Sequence, residues 1–260
     1  MLNILLPSLP YQRAIDPMWQ DEMEAAQRHG HTVCLYDAER NKLYQQPNAQ
    51  WPTLYRGWML TADEYEQLEQ LTPLLVPAAM YLASHQAPGW YAAVAEFTPR
   101  SQVVQADAAE EVVAALLRRD GRCFVKGLSK SFGEDSVIHS PEELRKVLGK
   151  HLENESQELF VREFVELSDQ PEQRFFAVRN RAFGANGREF PSTLLPALAA
   201  LQSRWLYTVD VAHRPDGQPL IIEVGDGQVS DTKEWTPAEL YQTALQHLAE
   251  STRNSSTSDD

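Results

Sequence analysis

The sequence predicts an α/β protein in which a Rossmann-like N-terminal domain precedes a second, strand-rich domain, and three observations carry that prediction. Residues 3–6 (Asn-Ile-Leu-Leu) and 32–36 (Thr-Val-Cys-Leu-Tyr) read as short buried strands rich in β-favouring side chains, with a helix between them. After residue 105 strands and helices alternate again, ending in a pair of strands at 204–211 and 219–224. The chain has 260 residues, 43% of them apolar, spread along its length rather than gathered in islands, so it can offset its folding entropy over one large or two modest domains.

In the first unit Asp16 can cap a helix, Pro17 suits its first position, Trp19, Met23 and Ala26 share one face, and Gly30 stops it. A strand, helix and strand within roughly 35 residues imply a right-handed parallel unit. The loop Pro7-Ser8-Leu9-Pro10-Tyr11 lacks the Gly-x-Gly-x-x-Gly fingerprint, so no dinucleotide site is expected there. Thr61 with Glu64 predicts a capping box ahead of Tyr65, Leu68 and Leu71, and Asp107 with Glu110 predicts another ahead of Val113, Leu116 and Leu117. Between 73 and 105 prolines and aromatics accumulate and periodicity fades, which reads as a connector and places the domain boundary near 105. Strands follow at 122–127 and 136–139, then a helix capped by Ser140 with Pro141 and Glu143 ahead of Leu144, Val147 and Leu148, and further strands at 158–165 and 173–183. A last helix begins at Thr236-Pro237-Ala238-Glu239, and the polar tail 251–260 is expected to be disordered. No internal repeat is visible.

Charge and composition exclude several classes. A formal charge of −14 repels a phosphate backbone, because nucleic-acid affinity rests on Lys and Arg displacing condensed counterions. No apolar run approaches the roughly 20 residues that span a bilayer, and the start Met1-Leu2-Asn3-Ile4 has no basic region ahead of a hydrophobic segment, so neither export nor membrane insertion is expected. Cys34 and Cys123 sit inside apolar strand-like runs, as buried reduced thiols do, which points to a cytoplasmic protein. The seven His show no zinc-binding spacing.

Three stretches carry chemistry. In the segment Trp205 to Asp226, a turn centred between Asp216 and Gly217 makes Asp210 and Glu223 cross-strand partners. Like charges about 5 Å apart on one face destabilise a sheet unless a cation sits between them, so the pair reads as a Mg2+ site with hard oxygen ligands. The competing reading is two exposed carboxylates on a shifted register. In Cys123-Phe-Val-Lys126-Gly-Leu-Ser-Lys130-Ser-Phe-Gly133, a strand runs into a loop of small residues with two Lys, a plausible cover for a triphosphate that is not a Walker loop, or else a solvated loop with surface Lys. The third stretch is Leu159 to Glu166 followed by Glu172 and Arg174. Its strand edge at Glu163, Phe164 and Val165 can hydrogen-bond a flat base, an acid beside it can accept from ribose hydroxyls, and Arg174 can clamp phosphate or acyl-phosphate oxygens; taken singly, each residue reads as a surface charge.

This order of Lys strand, small-residue loop, linker strand ending in Glu, downstream Arg, then Asp and Glu on adjacent strands resembles the ATP-grasp superfamily. More narrowly, Tyr55-Arg56-Gly57-Trp58-Met59 and Glu223-Val224-Gly225-Asp226-Gly227-Gln228 resemble the clade named for an Arg and two Lys, with similarity over residues 2–248. The resemblance implies an α+β ATP-grasp architecture, with a pre-ATP-grasp domain and connector over 1–105 and an ATP-grasp domain over 106–250 whose lid covers about 122–165. It further implies that Lys126 and Lys130 contact nucleotide phosphates, Glu163, Phe164 and Val165 line the adenine, Glu166 or Glu172 holds the ribose, Asp210 and Glu223 ligate Mg2+, and Arg56 and Arg174 face phosphate or acyl substrate. Many ATP-grasp enzymes place Glu-x-Asn at the metal; here Gly225 takes the Asn position, and Asp226 or Gln228 is the candidate substitute. The implied activity is an ATP-dependent carboxylate–amine ligase forming an acylphosphate, with small-molecule or peptide carboxylates and amines as substrates and a homodimer compatible with the reading. A non-catalytic nucleotide-binding module and an ATP-grasp kinase are the alternatives.

Overall fold

The computed structural model describes residues 1–152 and 157–256. The N-terminal sheet is built from β1 (Asn3–Pro7), β2 (Thr32–Asp37), β3 (Lys42–Leu43) and β4 (Thr53–Tyr55), in the order β3-β2-β1-β4. β1 is parallel to both β2 and β4, as the strand-helix-strand reading requires. Asp16 accepts from the Met18 amide at 3.0 Å and starts a single 3-10 turn, Pro17–Trp19, that leads into α1 (Gln20–Arg28). Gly30, at φ +76°, ends that helix in the left-handed region, which costs a glycine little. Thr61 and Glu64 form the expected capping box of α2 (Ala62–Leu71).

The stretch expected to be a connector instead holds two helices, α3 (Ala78–His85) and α4 (Ala87–Val94). Both are rich in Ala and aromatic residues with little polar contrast between faces, so a 3.6-residue period is hard to see; Pro77 and Pro88 lie at helix N-termini, where proline is tolerated.

The second sheet, ordered β5-β8-β6-β7, comprises β5 (Ser101–Gln105), β6 (Cys123–Gly127), β7 (Val137–Ile138) and β8 (Glu158–Glu163). Because β5 pairs with β8, this sheet begins at Ser101, ahead of both the boundary expected near 105 and the lid start expected near 122. α5 (Ala109–Asp120) and α6 (Pro141–His151) pack on one face around Val113, Val125, Ile138, Leu144 and Val161. The second capping box does not form: residues 106–108 make a 3-10 turn, and Ala108 stands at the N-cap without a side-chain bond. Ser140 caps α6 as expected, accepting from the Glu143 amide at 3.2 Å.

The third sheet, ordered β10-β9-β11-β12, consists of β9 (Gln173–Val178), β10 (Arg181–Gly184), β11 (Tyr207–His213) and β12 (Pro219–Asp226), with α7 (Leu195–Ala200) on its core face. The strand expected over 173–183 is a hairpin that reverses at Arg179, φ +53°. The C-terminal helix is α8 (Pro237–Leu240), a π turn (Tyr241–Leu245) and α9 (Gln246–Ser256). The tail expected to be disordered from 251 is helical through Ser256; residues 257–260 lie outside the described residues. Leu240, Tyr241, Leu245 and Leu248 are buried in one cluster with Leu5, Ala25 and Leu54, so the last helix completes the N-terminal core. Each such fully buried leucine contributes about 1.5–3 kcal/mol.

Candidate active site

The β11–β12 hairpin places Asp210 opposite Glu223, although the turn differs from the one expected. Gly217 (φ +83°) donates to the Arg214 carbonyl at 2.9 Å, and Arg214 donates to the Gln218 carbonyl at 2.9 Å, closing a three-residue loop. That loop pairs Val211 with Ile221, one position out of the expected register, and a bulge at Ile222 restores the register before Glu223. Two one-residue deviations cancel.

Both carboxylates already carry a cation from the protein. Asp210 is 2% exposed and accepts from Arg174 Nε at 2.8 Å and Nη2 at 2.6 Å, because Arg174 is its cross-strand neighbour on β9. Lys233 Nζ stands 3.1 Å from the same carboxylate and 2.5 Å from Glu172, while Arg174 Nη1 reaches Asp231 at 2.7 Å. Burial works to raise the Asp210 pKa, yet the bonds from Arg174 and the charge of Lys233 hold it below the usual carboxylate range. Glu172 is pushed up by burial and by Asp210. Glu223 accepts from Lys126 of β6, an ion pair that joins the second sheet to the third.

Strand alternation sorts the remaining candidates. On the second sheet Lys126, Phe160 and Arg162 share the face toward the third sheet: Phe160 is buried in that sheet's core cluster, and Arg162 donates to the Ile222 carbonyl at 2.7 Å. Glu163 has the opposite parity and stands 3.3 Å from Arg119 of α5, so the structure does not bring it to Lys126. Phe164 lies under the Arg122 guanidinium at 3.8 Å, Glu166 pairs with Arg122 at 2.9 Å, and Val165 between them in sequence is half-buried. Lys130 is exposed on the loop after β6.

Three expected contacts are not made. Arg56 is 1% exposed: Glu22 takes its Nε and Nη2 at 2.6 and 3.0 Å, and the Gly227 carbonyl takes Nη1 at 2.6 Å, which leaves nothing to face a phosphate or an acyl group. Asp226 alternates to the face away from Glu223, where it accepts from the Gln228 amide at 2.9 Å and its buried Oδ2 has no hydrogen-bond partner among the described residues; burial pushes its pKa to about 7. Gln228 is fully buried against Tyr65 and Asp226. At Gly225 a Cβ would stand 2.7 Å from Thr208 Oγ1 and 3.1 Å from Ser230 Oγ, so those hydroxyls fill the space an Asn side chain would need. Lys233 and Arg162 were missed from sequence. Lys233 sits in a polar loop at φ +45°, and nothing local marks Arg162 as facing a second sheet.

A family model described as an ATP-grasp domain, the third family of the clade named for one Arg and two Lys, matches residues 36–245. The chain belongs to that family. No curated protein matches the sequence. Among solved structures, this ATP-grasp chain resembles the D-cycloserine synthetase DcsG at 15% identity and a TM-score of 0.67, over 95% of this chain and 99% of that one. The macrocyclase MdnC from Microcystis aeruginosa, solved with its precursor peptide MdnA, is similar at 14% identity and 0.62, over 96% and 100%. The ATP-grasp ligase PsnB, solved with a minimal precursor, Mg and ADP, is similar at 10% identity and 0.61, over 95% and 97%. These likenesses are of fold. Within this ATP-grasp family member the two sequence motifs meet in space: Arg56 of Tyr-Arg-Gly-Trp-Met is hydrogen-bonded to Gly227 and Gln228 of Glu-Val-Gly-Asp-Gly-Gln.

Proposed function

We propose that this ATP-grasp protein is an ATP- and Mg2+-dependent carboxylate–amine ligase working through an acylphosphate. The observation that carries the reading is the Lys126–Glu223 pair, formed across the cleft between two sheets beside the opposed Asp210. The donor set fits Mg2+. Asp210 and Glu223 are opposed hard oxygen donors, and Mg2+ is ordinarily held by one or two carboxylates, with water and phosphate oxygens completing its shell. Asp210 and Glu223 would hold it; bound there, Mg2+ neutralises charge on the transferring phosphoryl group.

The protein's own residues then have separable tasks. Lys126 leaves Glu223 for a phosphate oxygen, which frees a carboxylate and delivers a cation in one movement. Arg174 fixes Asp210 by two bonds and is placed to neutralise the phosphoryl group from the same side, while Lys130 covers the phosphates from the loop. Glu172, which lies against Asp210, is the ribose partner in this reading rather than Glu166, which is paired with Arg122. The substrate carboxylate oxygen bonds to the γ-phosphorus as the bridge to ADP breaks; the amine nitrogen then bonds to the acyl carbon as phosphate leaves. Closure of the lid keeps water from the acylphosphate. The reading includes a cytoplasmic location, supported by two buried free thiols and by the lack, among the described residues, of any helix long and apolar enough to cross a membrane.

Glu223→Gln should weaken Mg2+ by at least the roughly 10–100-fold typical of losing an outer-shell partner, with ADP release falling in step while circular dichroism stays unchanged. Unaltered Mn2+ binding by electron paramagnetic resonance would remove Glu223 from the site. The filled space at Gly225 favours a second reading, a nucleotide-binding module without turnover. Mg-ATP binding with no ADP release across a broad carboxylate and amine panel would decide for it.

A further inference from the structure

A cavity of about 630 Å³ lies between the N-terminal domain and the lid. Met59, Leu60 and His85 line it from one side, and Lys130, Phe132 and His151 from the other. His85, the last residue of α3, lies flat against Tyr81, with ring centroids 5.4 Å apart and planes within 8°. Tyr81 is stacked in turn on Tyr65 at 4.1 Å and 7°. The column fixes the plane of the imidazole, and among the described residues neither of its ring nitrogens has a hydrogen-bond partner.

Charged groups bear on this ring from three elements: Glu223 from β12, Lys126 from β6 and Lys130 from the loop after it, with His151 and Glu158 farther round the cavity wall. Burial lowers the proton affinity of His85; Glu223 opposes that, and the two lysines add to it, so the imidazole is neutral at pH 7. Gly127, next to Lys126, lines the cavity, and α3 packs against β12, which carries Glu223, so on the ligase reading the cavity lies beside the place where the acylphosphate would form. A neutral imidazole with free nitrogens, held by a stack beside a cleft, has what a proton acceptor needs.

We propose that this cavity takes the amine substrate, and that His85 accepts the proton the amine loses as its nitrogen bonds to the acyl carbon. The inference rests on the ligase reading above. As the C–N bond forms, the N–H proton passes to the imidazole, the C–O bond to phosphate breaks, and phosphate carries off the electron pair; His85 afterwards returns its proton to water. The apolar walls at Met59, Leu60 and Phe132 fit a primary amine on an apolar skeleton, and Lys130 disfavours an ammonium ion there, which helps the amine shed its proton.

The test uses the full chain with Mg-ATP, a panel of amino acids and dipeptides as carboxylates, and two nucleophiles in separate arms. One is hydroxylamine, unprotonated at neutral pH and nucleophilic enough to capture an acylphosphate with its proton passing to water. The other is the panel's own primary amines. His85→Gln should lower the ratio of amide to hydroxamate on the order of 10²-fold at pH 7, with the ratio recovering at high pH, where the amine is neutral in bulk; His85→Asn, run in parallel, should do the same. An unchanged ratio in both variants overturns the role of His85 and leaves the ligase reading standing. No hydroxamate from the wild type with any carboxylate overturns the ligase reading, and the base with it.

Discussion

Arg56 looks in sequence like a ligand-binding cation and behaves in the fold as a pin. Its partners come from α1 and from the loop after β12, so one guanidinium joins the N-terminal domain to the end of the third sheet. Arg56→Ala would leave Glu22 charged and buried, a loss of about 3–5 kcal/mol, to be read from urea unfolding. Arg56→Lys should recover little, because an ammonium cannot make the two-pronged bond. Asp226 gives a pH-dependent counterpart. With a folded pKa of about 7 against an ordinary value of 3.8, the folded chain keeps a proton that the unfolded chain has lost between about pH 4 and 7. Stability therefore falls as pH rises through that window, by on the order of 4 kcal/mol for this group. Asp226→Asn should flatten that fall; variant and wild-type stabilities that run parallel from pH 4 to 8 would mean that Asp226 does not titrate there. The sequence placed Asp210 opposite Glu223 through a turn one residue out and without the bulge that compensates for it, so the pairing is met by two deviations that cancel. It hid the meeting of Arg56 with Gly227 and Gln228, more than a hundred residues away in the chain, and the parity of Glu163, which depends on how β6 meets β8.

At the scale of elements, the bulge at Ile222 does more than correct a register. It turns the Ile222 carbonyl toward Arg162, and the Ile221 amide beside it donates to the Phe97 carbonyl at 2.8 Å, so strand, lid and connector meet at one irregular point. Arg162 is 5% exposed and is held by neutral acceptors, the Ile222 carbonyl at 2.7 Å and Ser101 Oγ at 3.1 Å; burial lowers its pKa to about 10. Arg162→Met should keep the packing and lose these bonds, at about 1–3 kcal/mol for the carbonyl left behind. Hydrogen exchange should then quicken in β5, β6 and β8 relative to β1 and β2; uniform exchange across all three sheets would show that the tie does not anchor the lid. The helices at 78–85 and 87–94 escaped the sequence reading for a related reason. In α4 the exposed residues are Pro88, Gly89, Ala92 and Ala93, so the outer face offers no polar contrast on which a period could show.

Taken as a whole, the molecule has three apolar clusters that cross between its sheets: Phe176, Val178 and Leu206 lie in the cluster of the N-terminal sheet, and Phe160 of the second sheet lies in that of the third. The chain returns at its end to finish the core it began with, so the N-terminal domain depends on Tyr241 and Leu245 nearly as much as on Leu5. Sequence order hides this return, because β1 and the last helix stand near opposite ends of the chain.

Lys126 and Glu223 also bear on time. On the proposed reading, the ion pair between the two sheets would have to break before a nucleotide seats. Stopped-flow mixing should thus yield an observed rate that climbs with ATP concentration and then levels off at the frequency of spontaneous opening. Lys126→Met removes the bolt, and its trace should climb without a ceiling even though its final occupancy is lower.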